Sequence, residues 1–206
     1  MTKVKLCGLK RLCDIEWANE VRPDYVGFVF AGKKRRVTDA IATALRQHLD
    51  QAIPAVGVFV NEEQEHIIQL VKAGVIQVVQ LHGQEDDDYI EALRQTIDVP
   101  LIKAFSITGP DSLKAVETCR ADYVLLDNGP GGTGEAFDWQ TIQYRIHRPF
   151  FLAGGLTPEN VAQAMALKPY ALDVSSGIET DGVKDKQKII KFMAQVKTYA
   201  SQEGME

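Results

Sequence analysis

Eight short apolar runs recur along the chain, with longer amphipathic segments between them. The runs cover residues 4–7, 25–30, 55–60, 77–81, 101–105, 123–126, 150–153 and 171–174. Most are rich in Val, Leu, Ile and Phe with little polar alternation, as strands buried on both faces are. They begin roughly 20–30 residues apart, about one strand–helix unit each. Between them lie helix signals. Asn61 precedes Glu62, Glu63 and Gln64 in the pattern of a capping box. Thr157, Pro158 and Glu159 read as an N-cap, an N1 proline and an acid at the positive helix end. Gly109, Pro110 and Asp111 repeat that grammar, and Asp86, Asp87 and Asp88 read as the exposed acidic first turn of another helix. Ile189, Met193, Val196 and Ala200 form one stripe of a closing helix. The expected fold is α/β: a single-domain (β/α)8 TIM barrel, eight parallel strands with outer helices, over residues 1–206. A doubly wound open sheet would want a glycine-rich fingerprint after the first strand, where Cys7, Gly8, Leu9, Lys10 and Arg11 stand instead.

Composition narrows the function classes. With 23 Lys and Arg against 28 Asp and Glu, the net charge of −5 disfavours nucleic-acid phosphates as general partners. No run is long enough to span a bilayer, and the first residues hold no signal-peptide core, so neither a membrane nor export is expected. Cys7, Cys13 and Cys119 are odd in number and lack CxxC spacing, which points to a reducing, cytoplasmic setting. His48, His66, His82 and His147 show no paired-ligand spacing, so no metal is expected. Monomer and homodimer both remain open.

In a barrel, chemistry gathers where strands end and βα loops begin. Those ends hold Cys7, the basic run Lys33 to Arg36, His82, Asp127 before a glycine-rich loop, Gly154 and Gly155, and Asp173 followed by Ser175, Ser176 and Gly177. Each has a bland reading: a small core thiol, a helix cap, a structural histidine, a solvated loop, tight turns. Their shared location supports a second one. Glycines 154, 155 and 177 with Ser176 follow strands 7 and 8, where barrels commonly grip a phosphate with backbone N–H groups. A thiol and a carboxylate on strands 1 and 6 would face each other across the mouth as base and acid. The loop from Asn128 to Gly134 lacks the Lys-Ser/Thr pair of a nucleotide P-loop.

At these residues the sequence resembles phosphoribosylanthranilate isomerase of tryptophan biosynthesis, over nearly its whole length. The motifs are Lys5-Leu6-Cys7-Gly8-Leu9, Val26-Gly27-Phe28-Val29-Phe30, Val56-Gly57-Val58-Phe59-Val60-Asn61 and Gln80-Leu81-His82-Gly83. They continue with Leu125-Leu126-Asp127, Gly132-Thr133-Gly134 with Phe137-Asp138-Trp139, the stretch from Leu152 to Val161, and Asp173 to Glu179. The resemblance implies a cofactor-free Amadori rearrangement of the small-molecule substrate N-(5-phosphoribosyl)anthranilate to 1-(2-carboxyphenylamino)-1-deoxyribulose 5-phosphate. It implies Asp127 as general acid at the furanose oxygen and Cys7 as general base at C2. It also implies an arginine after strand 2 for the anthranilate carboxylate, with Arg36 favoured on loop reach and Arg35 the alternative. Asp173 and His82 are implied as further substrate contacts. An isomerase of another aminated sugar phosphate would keep the phosphate grip but usually works with a carboxylate pair, against which Cys7 argues. A non-catalytic sugar-phosphate-binding barrel would keep the grip and has no need of a thiol opposite Asp127.

Overall fold

A computed structural model of the chain describes residues 1–107, 110–127 and 146–203. Each apolar run becomes a strand: β1 (Lys3–Cys7), β2 (Tyr25–Val29), β3 (Ala55–Phe59), β4 (Val78–Leu81), β5 (Leu101–Ser106), β6 (Tyr123–Asp127), β7 (Phe150–Leu152) and β8 (Ala171–Val174). Every strand pairs in parallel with the next, and β8 returns to β1, so the sheet closes as an eight-stranded barrel. Seven helices are described: α1 (Leu12–Val21), α2 (Asp39–His48), α3 (Gln64–Lys72), α4 (Asp87–Arg94), α5 (Pro110–Thr118), α6 (Val161–Met165) and α7 (Lys186–Glu203). After β8 come a single 3-10 turn, Ser176–Ile178, and a small antiparallel hairpin of β9 (Glu179–Thr180) and β10 (Val183–Lys184).

The period of two along a strand decides which side chains meet. Val4 and Leu6 of β1, Val79 and Leu81 of β4, and Leu172 and Val174 of β8 point outward into the layer shared with Ile15, Leu45, Ile67 and Ile90 of the helices. The alternate residues point into the barrel. Val56, Val78, Ile102, Leu125, Phe151 and Ala171 fill its middle and lower part as a separate apolar cluster. On the closing helix, Ile189, Met193 and Val196 are buried as the stripe required, and Phe192 joins them. Each such side chain contributes about 1.5–3 kcal/mol by leaving water.

Two helix starts differ from the sequence reading. Asn61 does not cap α3, whose N-cap is Glu63. With a left-handed φ of 50°, Asn61 turns toward the β4 loop, where its Oδ1 accepts from Gln84 N at 2.6 Å and its own N–H donates to Glu85 at 2.7 Å. Likewise α6 begins at Val161, and Thr157 starts a preceding turn in which its hydroxyl accepts from Glu159 N. Asp86 does cap α4, accepting from Tyr89 N at 2.9 Å, with Asp87 and Asp88 in the first turn. Gly109 and the motif residues Gly132, Thr133, Gly134, Phe137, Asp138 and Trp139 lie outside the described residues.

Candidate active site

The carboxyl ends of the strands gather the polar residues at one end of the barrel. Lys5 and Cys7 are two apart on β1, so both face the lumen. Lys5 is completely buried, and each of its ammonium N–H donors finds an acceptor: Gln80 Oε1 at 2.6 Å, Asp173 Oδ2 at 2.7 Å and Cys7 Sγ at 3.3 Å. Space for this contact comes from β2. A Cβ on Gly27 would stand 2.8 Å from the Cys7 sulfur and 3.2 Å from Lys5 Cε. Burial and the Asp173 charge push the Cys7 thiol up, and the pull of Lys5 and Lys184 offsets this only in part, so its pKa stays raised. Burial also works against the Lys5 ammonium, but the charges of Asp173 and Cys7 outweigh it, and its pKa is raised. The second Asp173 oxygen, Oδ1, is buried with no hydrogen-bond partner among the described residues.

The basic loop after β2 sends its two arginines to opposite sides. Arg36 forms a parallel bridge with Val29 and is exposed. Arg35, one residue earlier, faces the other way and lies along Gly8 at the end of β1. Its Nε and Nη2 reach the two oxygens of Glu179 at 2.6 and 2.8 Å, a two-pronged pair. The structure therefore brings Arg35 to the mouth and leaves Arg36 outside, because a shift of one residue reverses the side of an extended chain. Glu179 also accepts from the buried Lys184 at 2.8 Å. Burial opposes the Glu179 carboxylate, yet the hydrogen bonds from Arg35 and Lys184 prevail and hold it at about 2. Lys184 in turn donates to the Ser175 carbonyl at 2.9 Å, and the Ser175 hydroxyl donates to the Cys7 carbonyl at 3.1 Å.

A polar chain crosses the lumen from β1 to β6. Lys5 can only donate, so the Gln80 carbonyl oxygen must face it and the amide nitrogen must face His82. That nitrogen lies 3.0 Å from His82 Nδ1, which is thereby the acceptor. The remaining ring nitrogen, Nε2, carries the proton and points at Asp127 Oδ2 across 3.3 Å. The Cys7 sulfur and the Asp127 carboxylate are thus joined through Lys5, Gln80 and His82. Beneath His82 the β4 loop is clamped by Lys103, which donates to the Gly83 carbonyl at 2.7 Å and to Glu85 at 2.8 Å.

The loops after β7 and β8 interlock. Gly154 and Gly155 adopt φ of 86° and 64°, a backbone that L side chains rarely take. Asn160 fixes this loop, donating to the Gly155 carbonyl and accepting from Thr157 N, both at 2.8 Å. Gly177, in the turn that Ser176 begins, packs so closely that a Cβ would overlap the Leu156 carbonyl oxygen. Gly154, Gly155, Ser176 and Gly177 are therefore brought together at the mouth. The five-residue α6 starts well beyond them, and the nearer helical N-terminus is the 3-10 turn.

The sequence reading placed Cys7, Asp127, His82 and Asp173 at one end of the barrel, where they lie together with Arg35 rather than the favoured Arg36. It missed Lys5, Gln80, Glu179 and Lys184. The signal for the first two was their place two residues before Cys7 and His82, on the same strand face. Among the described residues no group of three or more His, Cys, Asp or Glu is arranged to hold a metal ion, and no helix is long and apolar enough to cross a membrane.

Comparison with known proteins bears on this arrangement. Residues 4–195 match the family model for N-(5'phosphoribosyl)anthranilate (PRA) isomerase. A relative of that name from Endomicrobium trichonymphae is 45% identical over 196 residues, 93% of this chain and 96% of its own. The crystal structure of the phosphoribosyl anthranilate isomerase of Thermus thermophilus superposes with a TM-score of 0.86 at 35% identity, covering 96% of this chain and 99% of that one. Another solved isomerase, in complex with reduced 1-(o-carboxyphenylamino)-1-deoxyribulose 5-phosphate, has a TM-score of 0.82 at 33% identity and covers 96% of this chain and all of its own.

Proposed function

The chain belongs to the N-(5'-phosphoribosyl)anthranilate isomerase family, and we propose that it carries out that family's Amadori rearrangement with Cys7 as base and Asp127 as acid. One observation carries the residue assignment: a thiol and a carboxylate from β1 and β6 face the same lumen at the same end, linked by one polar chain.

The reaction begins with the 5-phosphate gripped by the backbone of Gly154, Gly155, Ser176 and Gly177, whose glycines let a phosphate oxygen approach. Arg35 takes the anthranilate carboxylate in the two-pronged geometry it now offers Glu179. Asp127 protonates the furanose ring oxygen; the ring opens and the anilino nitrogen becomes an iminium. His82, whose Nε2–H points at Asp127 across 3.3 Å, is placed to stabilise the carboxylate that this proton transfer leaves. The iminium acidifies the C2 proton, so a thiolate is basic enough to remove it. Cys7 takes that proton, and the resulting enolamine tautomerises to the ketone. Asp173, with one buried oxygen that has no partner among the described residues, is suited to a substrate hydroxyl. Each of the acid and the base contributes about 10²–10⁴-fold.

This reading takes residues 1–206 as one catalytic domain acting in the cytoplasm on a phosphorylated small molecule, without cofactor, nucleic acid or membrane, as monomer or homodimer. The test is the loss of anthranilate fluorescence when purified protein meets phosphoribosylanthranilate. Turnover in the wild type that Asp127→Asn abolishes is the expected result; an unchanged rate in Asp127→Asn would reassign the acid.

A further inference from the structure

The buried lysine beneath the proposed base has no part in the scheme above. We propose that Lys5 is the cation that holds the Cys7 thiolate ready for proton abstraction, kept on the sulfur by Asp173 and Gln80. It is a positioning residue that acts through Cys7, and the proposal rests on reading Cys7 as the base.

Three features separate this role from simple packing. An ammonium taken wholly out of water is costly, and apolar side chains of similar volume usually fill such a site at no loss of stability. The Lys5–Asp173 pair at 2.7 Å would satisfy a structural purpose alone, yet the third donor of Lys5 is spent on a sulfur at 3.3 Å. A thiol is a weak acceptor and a thiolate a strong one, so that contact gains most when the sulfur is charged. Finally, Gly27 is the β2 residue beside the sulfur, and any Cβ there would press on Cys7 and Lys5 together.

The charged groups around the sulfur are Lys5 on its own strand, Asp173 on β8, Lys184 on β10 and Arg35 in the loop after β2. Of these, Lys5 is the one in hydrogen-bond contact with Sγ. Proton abstraction leaves Lys5 unchanged. The sulfur forms S–H as the C2–H bond breaks, the C–H electron pair becomes the C1=C2 bond, and the C1=N pair returns to nitrogen and cancels the iminium charge. Before the step the cluster holds a thiolate, an ammonium and the Asp173 carboxylate; afterwards the proton has cancelled the sulfur's charge and the ammonium–carboxylate pair remains.

The test follows the ultraviolet absorbance of the thiolate through a pH titration of the intact protein, subtracting the same titration of its Cys7→Ser variant. No substrate is needed. Lys5→Met is expected to raise the Cys7 midpoint by roughly one to three pH units, the usual effect of losing an opposite charge at this range. The acid limb of kcat/KM should move up by the same amount. If Lys5→Met does not fold, Lys5→Gln, whose amide can still donate to Asp173, is titrated in its place with the same expectation. A midpoint that stays where it is, even with kcat lost, overturns the proposal and leaves Lys5 a packing residue. A raised midpoint in Lys5→Met, with a wild type that does not turn over phosphoribosylanthranilate, would support the pairing and overturn the assigned reaction instead.

Discussion

Lys3 and Lys5 leave the same strand into the same lumen, two residues apart, and enter opposite environments. At the floor, Lys3 donates to the Tyr170 hydroxyl at 2.9 Å and lies over the Tyr170 ring at 4.9 Å. Tyr123 stacks on Tyr170, and Phe151 meets Tyr25, Tyr123 and Tyr170 within 5.8 Å. Aromatic rings close that end and their hydroxyls satisfy one another. At the mouth, Lys5 meets a carboxylate, an amide and a thiol, and one carboxylate oxygen is left without a partner among the described residues. The floor is a satisfied plug, whereas the mouth is charged and incomplete. A barrel divides its labour this way: stability is built at one end and chemistry at the other.

Variants at the two ends should therefore fail in different assays. The largest effect belongs to the mouth. Cys7→Ser should lower kcat by about 10²–10⁴-fold while thermal unfolding changes little, as steady-state kinetics and calorimetry on one preparation would reveal. At the floor, Phe151→Ala should cost roughly 3–5 kcal/mol of stability, measured by urea unfolding, yet keep kcat at temperatures where it remains folded. A loss of kcat in the folded variant would blur the division. Arg35→Ala comes next. Losing a charged hydrogen-bonding partner for the carboxylate, about 2 kcal/mol at the low end, corresponds to a KM increase of roughly 30-fold, while Arg36→Ala leaves KM alone. The opposite pattern would return the role to Arg36.

The smallest effect is a difference in pH response. Glu179, lowered from 4.5 to about 2, contributes stability that is present above its unfolded pKa and lost as pH falls from 4.5 toward 2. At the floor, the hydrogen bond with Tyr170 leads burial in raising the Tyr123 phenol above its ordinary value of 10. Its contribution is therefore present below 10 and is lost as pH rises beyond that. Urea unfolding across pH should show Glu179→Gln flattening the acid limb alone and Tyr123→Phe the alkaline limb alone. Either variant moving the other limb would count against independent ends.

The strands were legible because a parallel strand buried on both faces is apolar along most of its length and carries its polar residues mainly toward its carboxyl end. For the same reason Cys7, His82, Asp127 and Asp173 stood out. Lys5 and Gln80 did not, since they lie inside or beside runs that look apolar, and only barrel closure shows that alternate residues of β1, β4 and β8 share one lumen. The placement of Arg35 and Arg36 had a similar root: loop length fixes which side of the chain each arginine takes, and the bridge to Val29 shows Arg36 on the outer one. Glu179 and Lys184 become partners through a hairpin that begins after the last barrel strand.

The account rests on the mouth of the barrel performing the isomerisation through the β1 thiol. The most direct measurement is single-turnover fluorescence with phosphoribosylanthranilate, comparing wild type and Cys7→Ser at saturating enzyme. Rapid conversion by the wild type and a rate at least about a hundredfold lower in the variant is the predicted result. Equal rates in the two proteins would contradict it.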